Sequence, residues 1–282
     1  MITFYKGEAN KASKMILKFV SSDKTFLERA QKEKKEKVPF LIKSKYKVVT
    51  RNLIGHEFHT INEQSKNKKH IVYFHGGALC LNGGLPQWMM IDKWVKKTDA
   101  KASYLIYPMI PEYKTDKIYE IAFDMYRRIV KLYPEDEMIL IGESAGALII
   151  LSIMQLINLK EAKKPKLIVL ISPWLDITLS NYDIKDFVED DKILSVERFK
   201  GIEAYETKDS KVVPPIAYLY SEKITIYAGT HDILYPDMHL FESINPNIDM
   251  HVFQGCPHVF PLLPMKQSSI VHESIIKHIE NL

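Results

Sequence analysis

Six short runs in this chain are apolar almost without interruption: 70–74, 102–108, 138–142, 166–173, 223–229 and 250–255. A strand that shows one face to water alternates polar and apolar residues, whereas a strand covered on both faces does not. Helical patterns separate several of the runs. In residues 115–133, Ile118, Ile121, Ala122, Met125 and Ile129 recur at three- to four-residue spacing. Residues 145–158 form a strongly apolar helix and 268–282 a closing amphipathic one. Buried strands alternating with helices specify an α/β fold, a doubly wound and mostly parallel sheet. Before it, residues 45–52 and 56–63 read as paired strands around Leu53–Gly55.

The 282 residues suit one domain, 1–282, with a core large enough to need neither disulfide nor metal. Residues 181–215 are too long and polar for a simple crossover and are expected to form helices above the sheet edge. Residues 10–36 read as one or two helices, with Ile16, Leu17, Phe19 and Val20 on one face and Phe26, Leu27 and Ala30 on a second. The two regions, 1–42 and 181–215, would together make a lid or cap.

In open α/β sheets ligands bind beyond the carboxyl ends of the strands. After the run at 138–142 comes Gly142-Glu143-Ser144-Ala145-Gly146, a G-x-S-x-G between strand and helix. A serine on so sharp a turn is forced into a strained conformation, and small residues two positions either side let strand and helix approach. The plainer alternative is a glycine turn with Ser144 as a helix N-cap. A serine hydroxyl needs a base. Of ten histidines, His258 alone follows the last strand and precedes the last helix. Asp232, three residues past Gly229 at a strand end, is the better partner for it; Asp237 reads as a helix or loop residue. The order Ser144, Asp232, His258 is nucleophile, acid, histidine. A developing oxyanion needs preorganised N–H donors. Ala145 supplies one, and the others are expected from His75-Gly76-Gly77-Ala78, where glycines let the backbone turn its amides inward. His75 is expected to anchor that loop by a hydrogen bond and not to act as base.

His-Gly-Gly followed by GESAG, then Asp-x-Leu and a late histidine, resembles the hormone-sensitive-lipase-like carboxylesterases, the α/β-hydrolase fold-3 group. The resemblance covers about residues 70–260. It implies ester hydrolysis by Ser144, Asp232 and His258 through an acyl-enzyme, with Gly77, Ala78 and Ala145 as oxyanion donors, on small to medium acyl esters and with no cofactor or metal. Two positions depart from the family's usual HGGG and GDSAGG: Ala78 stands for the third glycine and Ala147 for the last. Alanine keeps its N–H, but the Ala78 methyl is expected to narrow the space beside the scissile carbon and disfavour bulky alcohols.

Other readings remain open at this level. Amide-directed hydrolases such as arylformamidases or peptidases share the triad, and a ligand-binding receptor can share the scaffold. Residues 1–47 carry 13 Lys/Arg against 5 Asp/Glu, which raises a membrane-surface or nucleic-acid binder. Interleaved Lys and Glu at 31–37 favour a solvated helical face instead, and no groove-reading motif occurs. Lys6, Glu8, Lys11 and Lys14 interrupt any signal-peptide core, and no apolar stretch reaches 18 residues. The expectation is a cytoplasmic protein without nucleic-acid partners or stable membrane insertion. Cys80 and Cys256, without zinc spacing, are expected to be reduced thiols. Leu79, Trp88 and Met89 could line a pocket or belong to the core.

Overall fold

The apolar runs become strands whose two faces are both covered. In the computed structural model, which describes residues 1–6, 24–33 and 36–282, the strands are β1 (Ile2–Tyr5), β2 (Val49–Leu53), β3 (His56–Ile61), β4 (Lys69–Phe74), β5 (Lys101–Leu105), β6 (Glu137–Glu143), β7 (Leu167–Ile171), β8 (Ile224–His231) and β9 (Ile248–Pro257). They form one sheet in the order β1-β9-β8-β7-β6-β4-β5-β3-β2. Only β3 runs against its neighbours, pairing antiparallel with β2 and β5. Among the described residues the helices are α1 (Phe26–Ala30), α2 (Phe40–Lys43), α3 (Leu85–Thr98), α4 (Thr115–Leu132), α5 (Ala145–Leu159), α6 (Tyr235–Ile244) and α7 (Lys266–Glu280).

Strand β4 shows why alternation is missing from the sequence. Val72 and Phe74 join the core formed with α4 and α5. Ile71 and Tyr73 join the opposite core with α3 and α7. All four are 0% exposed. Each such aliphatic or aromatic side chain contributes about 1.5–3 kcal/mol on burial, so none of these four positions can be polar cheaply.

Three features differ from the sequence reading. The edge strand β1 was not anticipated; its four residues are followed by charge, and its pairing is supplied by β9 from the far end of the chain. Helix α3 was also unassigned. It starts after Gly84, and Pro86 occupies its first turn, where the missing N–H costs nothing. Residues 181–215 form no full helix but isolated 3-10 turns at Tyr182–Asp186, Val196–Phe199 and Ile202–Tyr205. Their backbone is held by side chains instead: Asn181 Oδ1 accepts from Asp183 N at 3.0 Å and Asp191 Oδ1 from Ile193 N at 2.8 Å.

The apolar face expected at Ile16–Val20 lies outside the described residues. The second expected face is α1, which opens on a reciprocal cap between Thr25 and Glu28. Phe26 of α1 meets Phe199 at 5.0 Å between ring centroids, Phe199 meets Trp174 at 5.0 Å, and the Arg198 guanidinium lies 4.6 Å over Phe26. Helix α1 and residues 196–199 therefore pack together against Trp174, just past the carboxyl end of β7.

Candidate active site

Ser144 sits between β6 and α5 with φ 53° and ψ −120°. Such a conformation costs a non-glycine residue about 1–3 kcal/mol and persists only where neighbours impose it. Here Ser144 N donates to Ile171 O at 2.9 Å and Trp174 N donates to Ser144 O at 3.2 Å. The flanking glycines are demanded by space. A Cβ on Gly142 would lie 2.8 Å from the Gly146 backbone, and one on Gly146 would collide with the Phe74 carbonyl. The Ser144 side chain caps nothing, which removes the N-cap alternative.

The hydroxyl instead meets His258. His258 Nε2 lies 3.0 Å from Ser144 Oγ, and its Nδ1 lies 2.8 Å from Asp232 Oδ2. Asp232 is 0% exposed, and its Oδ1 accepts from Leu234 N at 2.9 Å. A carboxylate at Nδ1 favours the proton there and leaves the Nε2 lone pair toward the serine. Burial works against the imidazolium. The facing Asp232 carboxylate outweighs it, with Asp191 and Glu143 adding in the same sense, so His258 lies above the ordinary histidine range. Three residues from three strand ends thus form one hydrogen-bonded chain.

The loop after β4 shows that its two glycines serve different needs. A Cβ on Gly76 would collide with the Glu143 carboxylate, whereas Gly77 has φ +115° and would strike the Leu81 carbonyl. Ala78 and Leu79 continue the left-handed path at φ 56° and 58° despite their side chains. Gly77 O accepts from Cys80 N at 3.0 Å and Leu81 N at 2.9 Å, closing the turn. Among the described residues the N–H groups of Gly77, Ala78 and Ala145 have no acceptor within the protein. His75 braces the loop, its Nδ1 2.7 Å from Gly76 O and its ring stacked on Tyr107 at 4.3 Å. Burial holds His75 below the ordinary range.

The other candidates go elsewhere. Asp237, in the first turn of α6, accepts from Asn181 Nδ2 at 2.8 Å. His231 points to Asp190 at 4.0 Å. Leu79 and Trp88 are core residues, and Met89 is 51% exposed.

Sequence reasoning passed over two carboxylates. Glu143 accepts from Gly76 N at 2.5 Å, from Gln87 Nε2 at 3.3 Å and from the Tyr73 hydroxyl at 3.4 Å. Burial dominates, and despite these donors its carboxyl is pushed up to about 7. A signal for it existed: strand alternation puts residue 143 on the face of Ile139 and Ile141, inside the core. Asp191, from the inserted segment, accepts from Ile233 N at 2.9 Å, directly after Asp232. Nothing in the sequence pattern marks that contact.

The family model for the α/β-hydrolase fold matches residues 71–262. An esterase from Acinetobacter venetianus is 25% identical over 209 residues, spanning 71% of this chain and 69% of that protein. The crystal structure of a protein from Staphylococcus aureus, described as a putative esterase, is 26% identical. It superposes with a TM-score of 0.80 over 90% of this chain and 91% of its own. A hormone-sensitive lipase from a metagenome library superposes with a TM-score of 0.77 at 18% identity, over 95% and 97% of the two chains.

Proposed function

This chain belongs to the hormone-sensitive-lipase-like family of α/β-hydrolases and is a carboxylesterase/lipase-like enzyme; from that premise we propose that it cleaves small to medium acyl esters through an acyl-enzyme on Ser144. The observation that supports this most is the unbroken chain Ser144 Oγ–His258 Nε2, His258 Nδ1–Asp232 Oδ2, at 3.0 and 2.8 Å.

Ser144 Oγ attacks the ester carbonyl carbon while His258 Nε2 takes its proton. The carbonyl oxygen becomes an oxyanion and accepts the N–H groups of Gly77, Ala78 and Ala145, the last at the N-terminus of α5. Asp232 holds the imidazole tautomer and steadies the imidazolium. The tetrahedral intermediate collapses, the C–O bond to the alcohol breaks, and His258 delivers its proton to the leaving oxygen. Water then adds to the acyl carbon by the same route and frees the acid and the Ser144 hydroxyl. No redox step enters. The strain at Ser144 and the fixed amides leave little to reorganise at the moment of attack. Residues 181–215, with α1 packed against them, act as the cap over this site.

The test is hydrolysis of p-nitrophenyl esters of increasing acyl length by wild type and Ser144→Ala, with fluorophosphonate labelling. The expected result is turnover and Ser144 labelling in wild type alone, fastest on short chains. Equal rates for the two proteins would overturn the reading. Formanilide and peptide substrates run beside the esters separate ester from amide preference.

A further inference from the structure

Residues 181–215 are joined to the site by one buried carboxylate. Asp191 is 6% exposed. Its Oδ1 accepts from Ile193 N and Leu194 N, both at 2.8 Å, and so closes the turn that follows it. Its Oδ2 accepts from Ile233 N at 2.9 Å. The next amide, Leu234 N, is taken by Asp232 at 2.9 Å. Two carboxylates from distant parts of the chain therefore hold consecutive amides of one loop.

A turn alone does not require this. Asparagine or serine closes the same turn without burying a charge, and like charges buried together oppose each other. The cost is visible: burial and then the Asp232 charge push the Asp191 carboxyl up to about 6, against the pull of His258 and of the Leu194 and Ile233 amides. The groups facing this cluster are Asp232 and His258 from the strand ends, Arg198 from the 196–199 turn, and Glu143 toward His258 from β6. Arg198 also donates to Ile193 O, bracing the Asp191 turn from its other side.

We propose that Asp191 is a positioning residue for the reaction: from the inserted segment it fixes the loop that carries Asp232 and supplies a second negative charge to the His258 imidazolium. This rests on the reading of Ser144, His258 and Asp232 given above. The segment that covers the substrate is thereby tied to the strength of the base, so seating the cap and completing the catalytic chain are one event.

Asp191→Asn separates the tether from the turn. The amide oxygen can still accept from Ile193 and Leu194, but its NH₂ then faces the Ile233 N–H, donor against donor. Measured on a p-nitrophenyl ester from pH 5 to 9, kcat should fall about tenfold through misplacement of the Asp232 loop. The acid limb of kcat/KM should move about half a pH unit downward, because His258 loses a stabilising negative charge. Asn181→Ala loosens the same segment at a different anchor and should leave that limb in place. Asp191→Ser, whose hydroxyl can still close the turn, should move the limb as Asn does and serves if the Asn variant folds poorly. An acid limb that stays put in both Asp191 variants, or one that moves equally in Asn181→Ala, overturns the proposal. Fluorophosphonate labelling of wild-type Ser144 is read in parallel. Its absence overturns the serine reading itself, whereas labelled wild type with unmoved limbs overturns only the role of Asp191.

Discussion

Replacing Glu143 by glutamine tests the buried carboxyl group beside Ser144. Glu143 is 2% exposed, and burial carries its carboxyl from 4.5 to about 7 in spite of the Gly76 amide, Gln87, His258 and Tyr73. Its folded value lies above its unfolded one, so it stabilises the fold fully below pH 4.5 and loses that contribution as pH rises to 7. Between those values the unfolded chain has released its proton while the folded protein holds it, and stability falls by about 1.4 kcal/mol per pH unit. Over the whole interval this amounts to about 3 kcal/mol. Glutamine titrates nowhere in the range and can still accept from Gly76 N. Urea unfolding of both proteins at pH 5, 6, 7, 8 and 9 reads the difference directly, because every other titrating group is shared. Wild-type stability relative to Glu143→Gln should decline from pH 5 to 7 and then level off. Parallel profiles, or a wild type that gains on the variant with rising pH, would refute the reasoning.

The loop after β4 carries two further expectations. Gly77→Ala must place a Cβ against the Leu81 carbonyl at φ +115°, so the loop has to shift. Turnover should drop about 10²–10³-fold while urea stability shows a folded protein, and an unchanged rate would exclude the loop from the reaction. Ala78→Gly keeps the N–H, removes the methyl and relaxes a left-handed residue at φ 56°. The stability change should be small, since the left-handed strain relieved, about 1 kcal/mol, is offset by the freedom glycine has when unfolded. The rate on tert-butyl esters should rise relative to ethyl esters, and an equal factor for both would show that the methyl does not face the alcohol.

What could be read from the sequence was what local pattern encodes. Ile71 to Phe74 are covered on both faces, and that double burial is written as an unbroken apolar run. Ser144 was legible because its turn excludes side chains at Gly142 and Gly146, leaving a spaced pair of glycines between strand and helix. His258 and Asp232 could be picked from many candidates because an α/β sheet puts its strand ends on one rim. The structure brings these three into contact, while Asp237 and His231, equally available in composition, turn to Asn181 and Asp190. Helix α3 is hard to read because Gly83 and Gly84 precede it and Pro86 sits in its first turn, all residues common in turns.

The remaining features depend on contacts between segments, for which a chain carries no periodic mark. Gly76 and Gly77 look identical in sequence, yet one is required by a carboxylate 67 residues away and the other by its own backbone angle. Asp191 lies 42 residues before the amide it holds, inside a stretch whose 3-10 turns follow no apolar rhythm. Such contacts have a common form here: a buried carboxyl group receives a backbone N–H of a loop that borders the candidate site. Glu143 does this for the Gly76 loop and Asp191 for the Asp232 loop. Both are carboxyl oxygens accepting in a desolvated place, where a hydrogen bond is strong and a lost partner costly. Loops fixed in this way keep their amides and carboxylates aimed without help from regular structure. That accounts for a site assembled almost wholly from turns on a sheet rim still holding His258 within 3.0 Å of Ser144.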